Sequence, residues 1–217
     1  LTVTSARIDS GQPEADTGAL GIGLMATAGA RVDARALALL GNRTMGLGAA
    51  GAGTVMEVTD AHIAGTLAQG SDGRFGMGAA IDQGAALRLL GTRMDGNRTG
   101  GVVSVDGSPT LEAVGVVVSA TLPQQSDDAL GDGIAQLGPG TVRLVASRLS
   151  ANRRMGLAVS DDAELTDVLI DGTLPEGSAG EYGVGILIAK TGQVRARDIR
   201  VSASHVVGIV LLGALRA

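Results

Sequence analysis

Gly41-Asn42-Arg43-Thr44, Gly96-Asn97-Arg98-Thr99 and Ala151-Asn152-Arg153-Arg154 follow one another at a step of 55 residues (97 − 42 = 55; 152 − 97 = 55), and a fourth station 52 residues on (204 − 152 = 52) reads Ala203-Ser204-His205-Val206. Glycines keep the same step in three more columns: Gly21, Gly76, Gly131 and Gly183; Gly23, Gly78, Gly133 and Gly185; Gly46, Gly101, Gly156 and Gly208. A fixed period of tens of residues marks an architecture in which each unit covers the apolar face of the next.

Each unit splits into a long and a short half. The long half places apolar residues at i, i+2, i+5 and i+7, as in Leu1, Val3, Ala6 and Ile8, then Met56, Val58, Ala61 and Ile63, then Leu111, Ala113, Val116 and Val118. The short half repeats this with Val32, Ala34, Leu37 and Leu39, then Leu87, Leu89, Thr92 and Met94, then Val142, Leu144, Ser147 and Leu149. Two alternating pairs separated by a bend are short strands with every second side chain inward; a helix needs i, i+3, i+4 and i+7. The predicted fold is therefore all-β: a right-handed parallel β-helix of about eight coils in four double repeats, approximately 1–55, 56–110, 111–164 and 165–217, forming a single domain. Right-handedness follows from the strong preference of parallel crossovers, and eight coils at ~4.8 Å give a rod on the order of 38 Å long.

Composition agrees with a thin core. The 217 residues include 35 glycines, one Phe, one Tyr and no Trp, with 45% apolar and 18% charged residues. A broad core would carry more aromatic area, and the glycine lacks the period of collagen. The formal charge is 17 − 22 = −5 with both signs scattered, which leaves no basic stripe for nucleic acid. The longest apolar run, Val206 to Leu215, falls short of the ~20 residues of a spanning helix, so no membrane insertion is expected. Absence of cysteine leaves the redox compartment open. The chain opens and closes within strand-like phrases, so it reads as a piece of a longer protein.

On these columns, and on phrases such as Gly65-Thr66-Leu67-Ala68-Gln69-Gly70-Ser71-Asp72-Gly73 and Gly172-Thr173-Leu174-Pro175-Glu176-Gly177-Ser178, the whole chain resembles the right-handed β-helix repeat proteins of the pectin-lyase-like superfamily. It looks most like the glycine- and alanine-rich repeats of large secreted or surface proteins of bacteria. The resemblance implies a secreted or cell-surface location; catalysis does not follow from it, because one fold hosts many functions.

The enzyme reading needs two carboxyl groups at a defined separation. Its candidates are Asp127, Asp128 and Asp132, with Asp161 beside Asp162 and the column pair Asp106 and Asp161 as weaker pairs, and Arg98 as the accompanying cation. Asp128 stands in the column of Gly18, Gly73 and Gly180, the one notable break in the repeat. The Gly-His-Gly and Arg-Ile-Lys signatures of polygalacturonases are absent, as is any clustered calcium site beside an arginine base. Asn42, Asn97 and Asn152 read as a structural amide ladder at a bend, and the Arg43, Arg98, Arg153 and His205 column as an outward face. The loops Ser10 to Leu20, Gly65 to Phe75, Ala120 to Leu130 and Gly172 to Tyr182 occupy equivalent stations along one edge, where Asp72, Phe75, Glu181 and Tyr182 are the candidate binding residues. No metal and no cofactor is expected: the histidines lack partners at ligand spacing.

The expected function is a noncatalytic structural or adhesive segment of an exported bacterial protein, contacting a polysaccharide or surface protein through its loops. A carbohydrate-active enzyme, a polysaccharide lyase or glycoside hydrolase, is the alternative. Open solenoid ends expose unpaired backbone, so end-to-end self-association or flanking coils are expected.

Overall fold

The structure, a computed structural model, describes residues 1–177, 180–189 and 192–212. The described residues form strands, turns and bends and no helix, and every strand pairing among them is parallel. The chain repeatedly crosses three ladders. The first stacks Thr2–Thr4, Arg31–Arg35, Val55–Thr59, Ala86–Leu90 and Thr110–Val114; the second stacks Arg7–Asp9, Ala38–Leu40, His62–Ala64, Arg93–Asp95 and Val117–Ser119. Beyond these, Thr141–Ser150, Asp162–Asp171 and Val194–Ser202 run through both, joining them into one 13-stranded sheet. The third ladder is an 8-stranded sheet of Leu24–Thr27, Met45–Ala50, Met77–Asp82, Gly100–Ser104, Asp132–Gln136, Met155–Val159, Val184–Ala189 and Val207–Leu212. Two long parallel sheets visited in turn are compatible with a parallel β-helix.

The register shows why the sequence repeats. Val32 pairs with Met56 and Met56 with Leu87, steps of 24 (56 − 32) and 31 (87 − 56) residues that sum to 55. Short and long passes therefore alternate. Each inward residue sits on its equivalent one pass away, as in Val3, Ala34, Val58, Leu89, Ala113, Leu144, Leu165 and Ala196. The core cluster that these columns form is aliphatic and narrow, with Val58, Leu89, Ala113 and Leu144 fully buried. A buried Leu or Val contributes roughly 1.5–3 kcal/mol over exposure. Thr92 and Ser147 share these inward columns and satisfy their hydroxyls locally: Thr92 Oγ1 donates to Leu90 O at 3.4 Å and Ser147 Oγ to Val145 O at 2.9 Å.

The corner between the first two ladders takes a left-handed residue on every pass: Ser5, Ala36, Asp60, Gly91, Gly115, Ala146, Asp167 and Asp198, with φ between 48° and 64°. Glycine fills only two of the eight positions, so the ladder hydrogen bonds on either side hold alanine, serine and aspartate in a conformation they enter at a cost. Glycine is obligatory elsewhere. A Cβ on Gly78 would lie 2.6 Å from Gly101 O and 2.9 Å from Asn97 Nδ2, because backbone from the next pass closes over it.

Outside, the first ladder carries a column of alternating charge that the 55-residue comparison conceals. Arg88 bonds Glu57 and Glu112, both at 3.2 Å, and Arg143 bonds Glu112 at 2.8 Å and Glu164 at 3.3 Å. Exposed pairs contribute about 0–1 kcal/mol each; their alternation also opposes any slip by one pass, which would set like charges side by side.

Candidate functional site

Four loops leave the second ladder on the long passes and return to the third. Three close by the same two bonds: Glu14 N to Ala19 O (2.8 Å) and Gly18 N to Glu14 O (2.8 Å); Gln69 N to Arg74 O (2.7 Å) and Gly73 N to Gln69 O (3.0 Å); Gln124 N to Ala129 O (2.7 Å) and Asp128 N to Gln124 O (3.0 Å). In the fourth loop Glu176 N donates to Glu181 O at 3.0 Å. A side chain caps the inner turn of the first three loops, Thr17 Oγ1 accepting from Ala19 N, Asp72 Oδ1 from Arg74 N and Asp127 Oδ1 from Ala129 N, as short polar side chains do in Asx and Ser/Thr turns. Asp127 also accepts from Gln124 Nε2 at 3.1–3.2 Å.

Neighbouring loops touch. Ser126 N donates to Gly73 O at 3.0 Å, Phe75 N to Gln124 Oε1 at 3.2 Å, and Leu130 N to Glu176 Oε2 at 3.0 Å. The last residue of each loop, Leu20, Phe75, Leu130 or Tyr182, is left-handed with φ of 63–67°. That conformation is costly for such side chains, and at Phe75 it is pinned from both sides. The next loop's Gln124 or Glu176 holds the N–H of Phe75 or Leu130, and Thr44 and Thr99 donate to the carbonyls of Leu20 (2.7 Å) and Phe75 (2.6 Å). The side chains therefore stand out along the edge: Leu20 is 45%, Phe75 37% and Tyr182 46% exposed. The Arg74 guanidinium lies 6.0 Å from the Phe75 ring centre, at the outer limit of a cation–π contact. Asp72 and Glu181 are exposed on the same edge.

Below the loops, three arginines tie pass to pass: Arg43 Nη1 donates to Ala68 O, Arg98 Nη1 to Pro123 O and Arg153 Nη1 to Pro175 O, at 3.1–3.3 Å. Arg98 is thus a strut of the third loop. Asn97 Oδ1 accepts from Thr66 N (3.0 Å) and its Nδ2 donates to Ile63 O (3.1 Å); Asn152 repeats this on Thr121 N (3.2 Å) and Val118 O (3.3 Å), adding Thr121 Oγ1 at 2.8 Å. Asn42 Oδ1 accepts from Gly11 N at 3.0 Å, and its Nδ2 is buried without a partner, as is the hydroxyl of Ser204 at the fourth station. The amides bond the backbone of the preceding pass; Gly11, Thr66, Thr121 and Thr173 occupy the intervening passes at these stations.

The candidate carboxylates do not form one cluster. Asp127 caps its turn, and Asp128, in the glycine column, is exposed with φ 59°, a region aspartate enters more readily than most residues. Asp132 is buried, 2% exposed, and forms a two-bond pair with Arg154: Nε donates to Oδ1 at 2.8 Å and Nη2 to Oδ2. Burial pushes the Asp132 carboxyl above the ordinary range and Glu176 adds to this, while the Arg154 guanidinium pulls the other way. Asp161 Oδ2 accepts from Gly140 N and Asp162 Oδ1 from Gln193 N, both at 2.8 Å; Asp106 is exposed on a turn. His62 lies outside the loops and bonds Asp95 at 2.7 Å. Among the described residues no group of three or more His, Asp or Glu is placed to hold a metal ion, and no helix is long and apolar enough to cross a membrane.

Arg154 and Glu176 were missed from sequence, and only Arg154 stands out in the repeat. Arg154 stands where Thr44 and Thr99 stand and Asp132 where Ile22, Met77 and Val184 stand, whereas Glu176 shares its column with Glu14, Gln69 and Gln124. Two columns change together, and the structure pairs their residues with Glu176 close by. Beside it an open cleft of about 340 Å³ is lined by Pro123, Asp128, Arg153 and Gly177. No protein family, no curated protein and no solved structure matches the chain.

Proposed function

We propose that this chain is a noncatalytic structural or adhesive segment built as a right-handed parallel β-helix of eight coils, of the pectin-lyase-like kind, in a secreted or cell-surface protein of a bacterium. Its contact surface for a glycan or a partner protein is the loop edge that carries Asp72, Phe75, Glu181 and Tyr182. One observation carries this reading: the side chains that would serve catalysis are engaged in holding the repeat together. Asp132 neutralises Arg154, Asp127 caps a turn and Arg98 braces the third loop. Right-handedness rests on the crossover preference, and the coil count on the eight crossings of the third ladder.

The open cleft at Asp128 and Arg153 favours a second reading, a carbohydrate-active enzyme with its site between the third and fourth loops. A glycan array and a polysaccharide-degradation screen on the purified chain separate the two. The comparison variant is Asp127→Asn/Asp128→Gly, which keeps a turn cap and restores the glycine of the other loops. Binding without cleavage, reduced by Phe75→Ser or Tyr182→Ser, is the expected result. Cleavage that the aspartate variant abolishes overturns the noncatalytic reading.

A further inference from the structure

Leucine and arginine alternate along the loop edge. The side chains of Asn42, Asn97 and Asn152 are buried, so by strand alternation the neighbouring Arg43, Arg98 and Arg153 point outward. Each is bridged in parallel to a leucine of the next pass, Arg43 to Leu67, Arg98 to Leu122 and Arg153 to Leu174, and these leucines are 42%, 37% and 39% exposed. Each arginine gives one N–H to a loop carbonyl, and among the described residues none of the three forms an ion pair. The second apolar column, Leu20, Phe75, Leu130 and Tyr182, stands beside the first: a Cβ on Gly76 would lie 3.2 Å from the Leu67 backbone, and one on Gly131 3.3 Å from that of Leu122. We propose that this double column binds a proline-rich peptide in the polyproline II conformation, lying along the stack and carrying a carboxylate at every third residue. The proposal rests on the loop-edge reading above and narrows its partner to a peptide.

Spacing selects the conformation. Equivalent side chains recur every second pass, ~9.6 Å at ~4.8 Å per pass. A polyproline II helix rises ~3.1 Å per residue with three residues per turn, so it turns the same face to the edge every ~9.3 Å. Between Arg43 and Arg153 it slips by only about 0.6 Å. An extended strand covers a similar distance in three residues, but its side chains alternate, so every second station meets the wrong face. An α-helix needs ~6.4 residues per step and arrives turned by ~80° each time. Exposed apolar side chains in a row form the kind of surface on which proline rings dock, and the preformed helix has little entropy to lose. Charge fixes the third position, because a carboxylate there meets each arginine in turn in a charge-assisted bond. Asp16, Asp72 and Asp127 lie in the turns of the loops. They border the row with negative charge and disfavour a uniformly anionic chain.

Fluorescence anisotropy of a labelled peptide of four Pro-Pro-Glu triplets, titrated with the unmodified chain, tests this. The peptide is ~37 Å long, enough for the ~19 Å between Arg43 and Arg153. Saturable binding that weakens with salt is expected. Two further peptides change only the ligand: one has glutamine for each glutamate, the other the same composition with glutamates alternately two and four residues apart. Both are expected to bind about tenfold or more weakly. Leu122→Ser and Arg98→Gln are expected to weaken the triplet peptide likewise with circular dichroism unchanged. Arg98 also braces the third loop, so if that variant fails to fold the peptide series and Leu122→Ser decide. Absence of saturable binding, or equal binding of the triplet and misspaced peptides, overturns the proposal. So does triplet binding that Leu122→Ser and Phe75→Ser both leave unchanged, which puts the peptide elsewhere on the chain. A glycan bound on the array and lost with Phe75→Ser, beside a peptide that does not bind, overturns the peptide and keeps the loop edge; silence of both probes overturns the two together.

Discussion

Replacing Asp132 alone and together with Arg154 tests whether the buried pair is structural. The carboxylate is 2% exposed and takes two bonds from a guanidinium whose side chain is only 18% exposed. Asp132→Met removes the anion and leaves Arg154 charged beneath the loops, with Glu176 as the remaining nearby carboxylate. Breaking one side of such a pair costs about 3–5 kcal/mol. At about 2–4 °C per kcal/mol for a chain of this size, the melting temperature falls by roughly 6–20 °C. Asp132→Met/Arg154→Thr instead writes the residues of the preceding double repeat, Met77 and Thr99, into both columns. It refills the apolar position and offers Leu130 O the hydroxyl that Thr99 gives Phe75 O. Replacement of both partners is neutral or stabilising by about 1–4 kcal/mol. Urea unfolding followed by circular dichroism reads both variants, with the slope watched because stacked repeats unfold in steps when cooperativity fails. A single variant within about 1 kcal/mol of the parent, well under the range for a broken buried pair, refutes the reasoning. So does a double variant as unstable as the single.

Asn97→Ala leaves Thr66 N and Ile63 O without their partner, and at about 1–3 kcal/mol per orphaned group it destabilises well beyond Asn42→Ala, since the Asn42 Nδ2 has no bond to lose; equilibrium unfolding of the two variants checks the order. Burial of Asp95 is outweighed by hydrogen bonds from Arg93 and His62, which hold its carboxyl below the ordinary value. Its contribution is therefore complete above the unfolded pKa and disappears as pH falls through the lower folded one, so thermal melts of Asp95→Asn should lose less stability on acidification than those of the parent. Arg88→Ala removes two exposed contacts worth at most about 1 kcal/mol each and should move the urea midpoint only slightly, with the effect vanishing in high salt.

The ladder positions were readable in the sequence because stacking forces like onto like: the inward residues of each pass recur at fixed offsets, and so do the glycines over which the next pass closes. Three things were hidden, two of them by the choice of period. Aligning 55-residue units sets Glu57 on Glu112 and Arg88 on Arg143, so the alternating column became visible only when consecutive passes were compared. The asparagines looked like neighbours in a ladder, whereas they fall on alternate passes and each bonds the backbone of the pass before. Asp132 was read as part of a carboxylate cluster because it is close to Asp127 and Asp128 in the chain, although its column is apolar and its partner lies 22 residues on (154 − 132 = 22). The corner residues stayed hidden for another reason: Ala36, Asp60 and Asp167 adopt φ of 51–54°, and local sequence does not report the tertiary bonds that hold them there.

The ladder hydrogen bonds run along the stack and not across it. A pull on the two ends loads them one pass at a time, as in opening a zipper, and no pass shares the load of the next. The arginine struts from Arg43, Arg98 and Arg153 join passes in the same direction, so each adds resistance at its own step. Extension then proceeds in paired increments. Each 55-residue unit releases about 180–200 Å of chain at ~3.3–3.6 Å per residue, and a segment tethered at its ends lengthens by steps under a load that would snap a rigid rod.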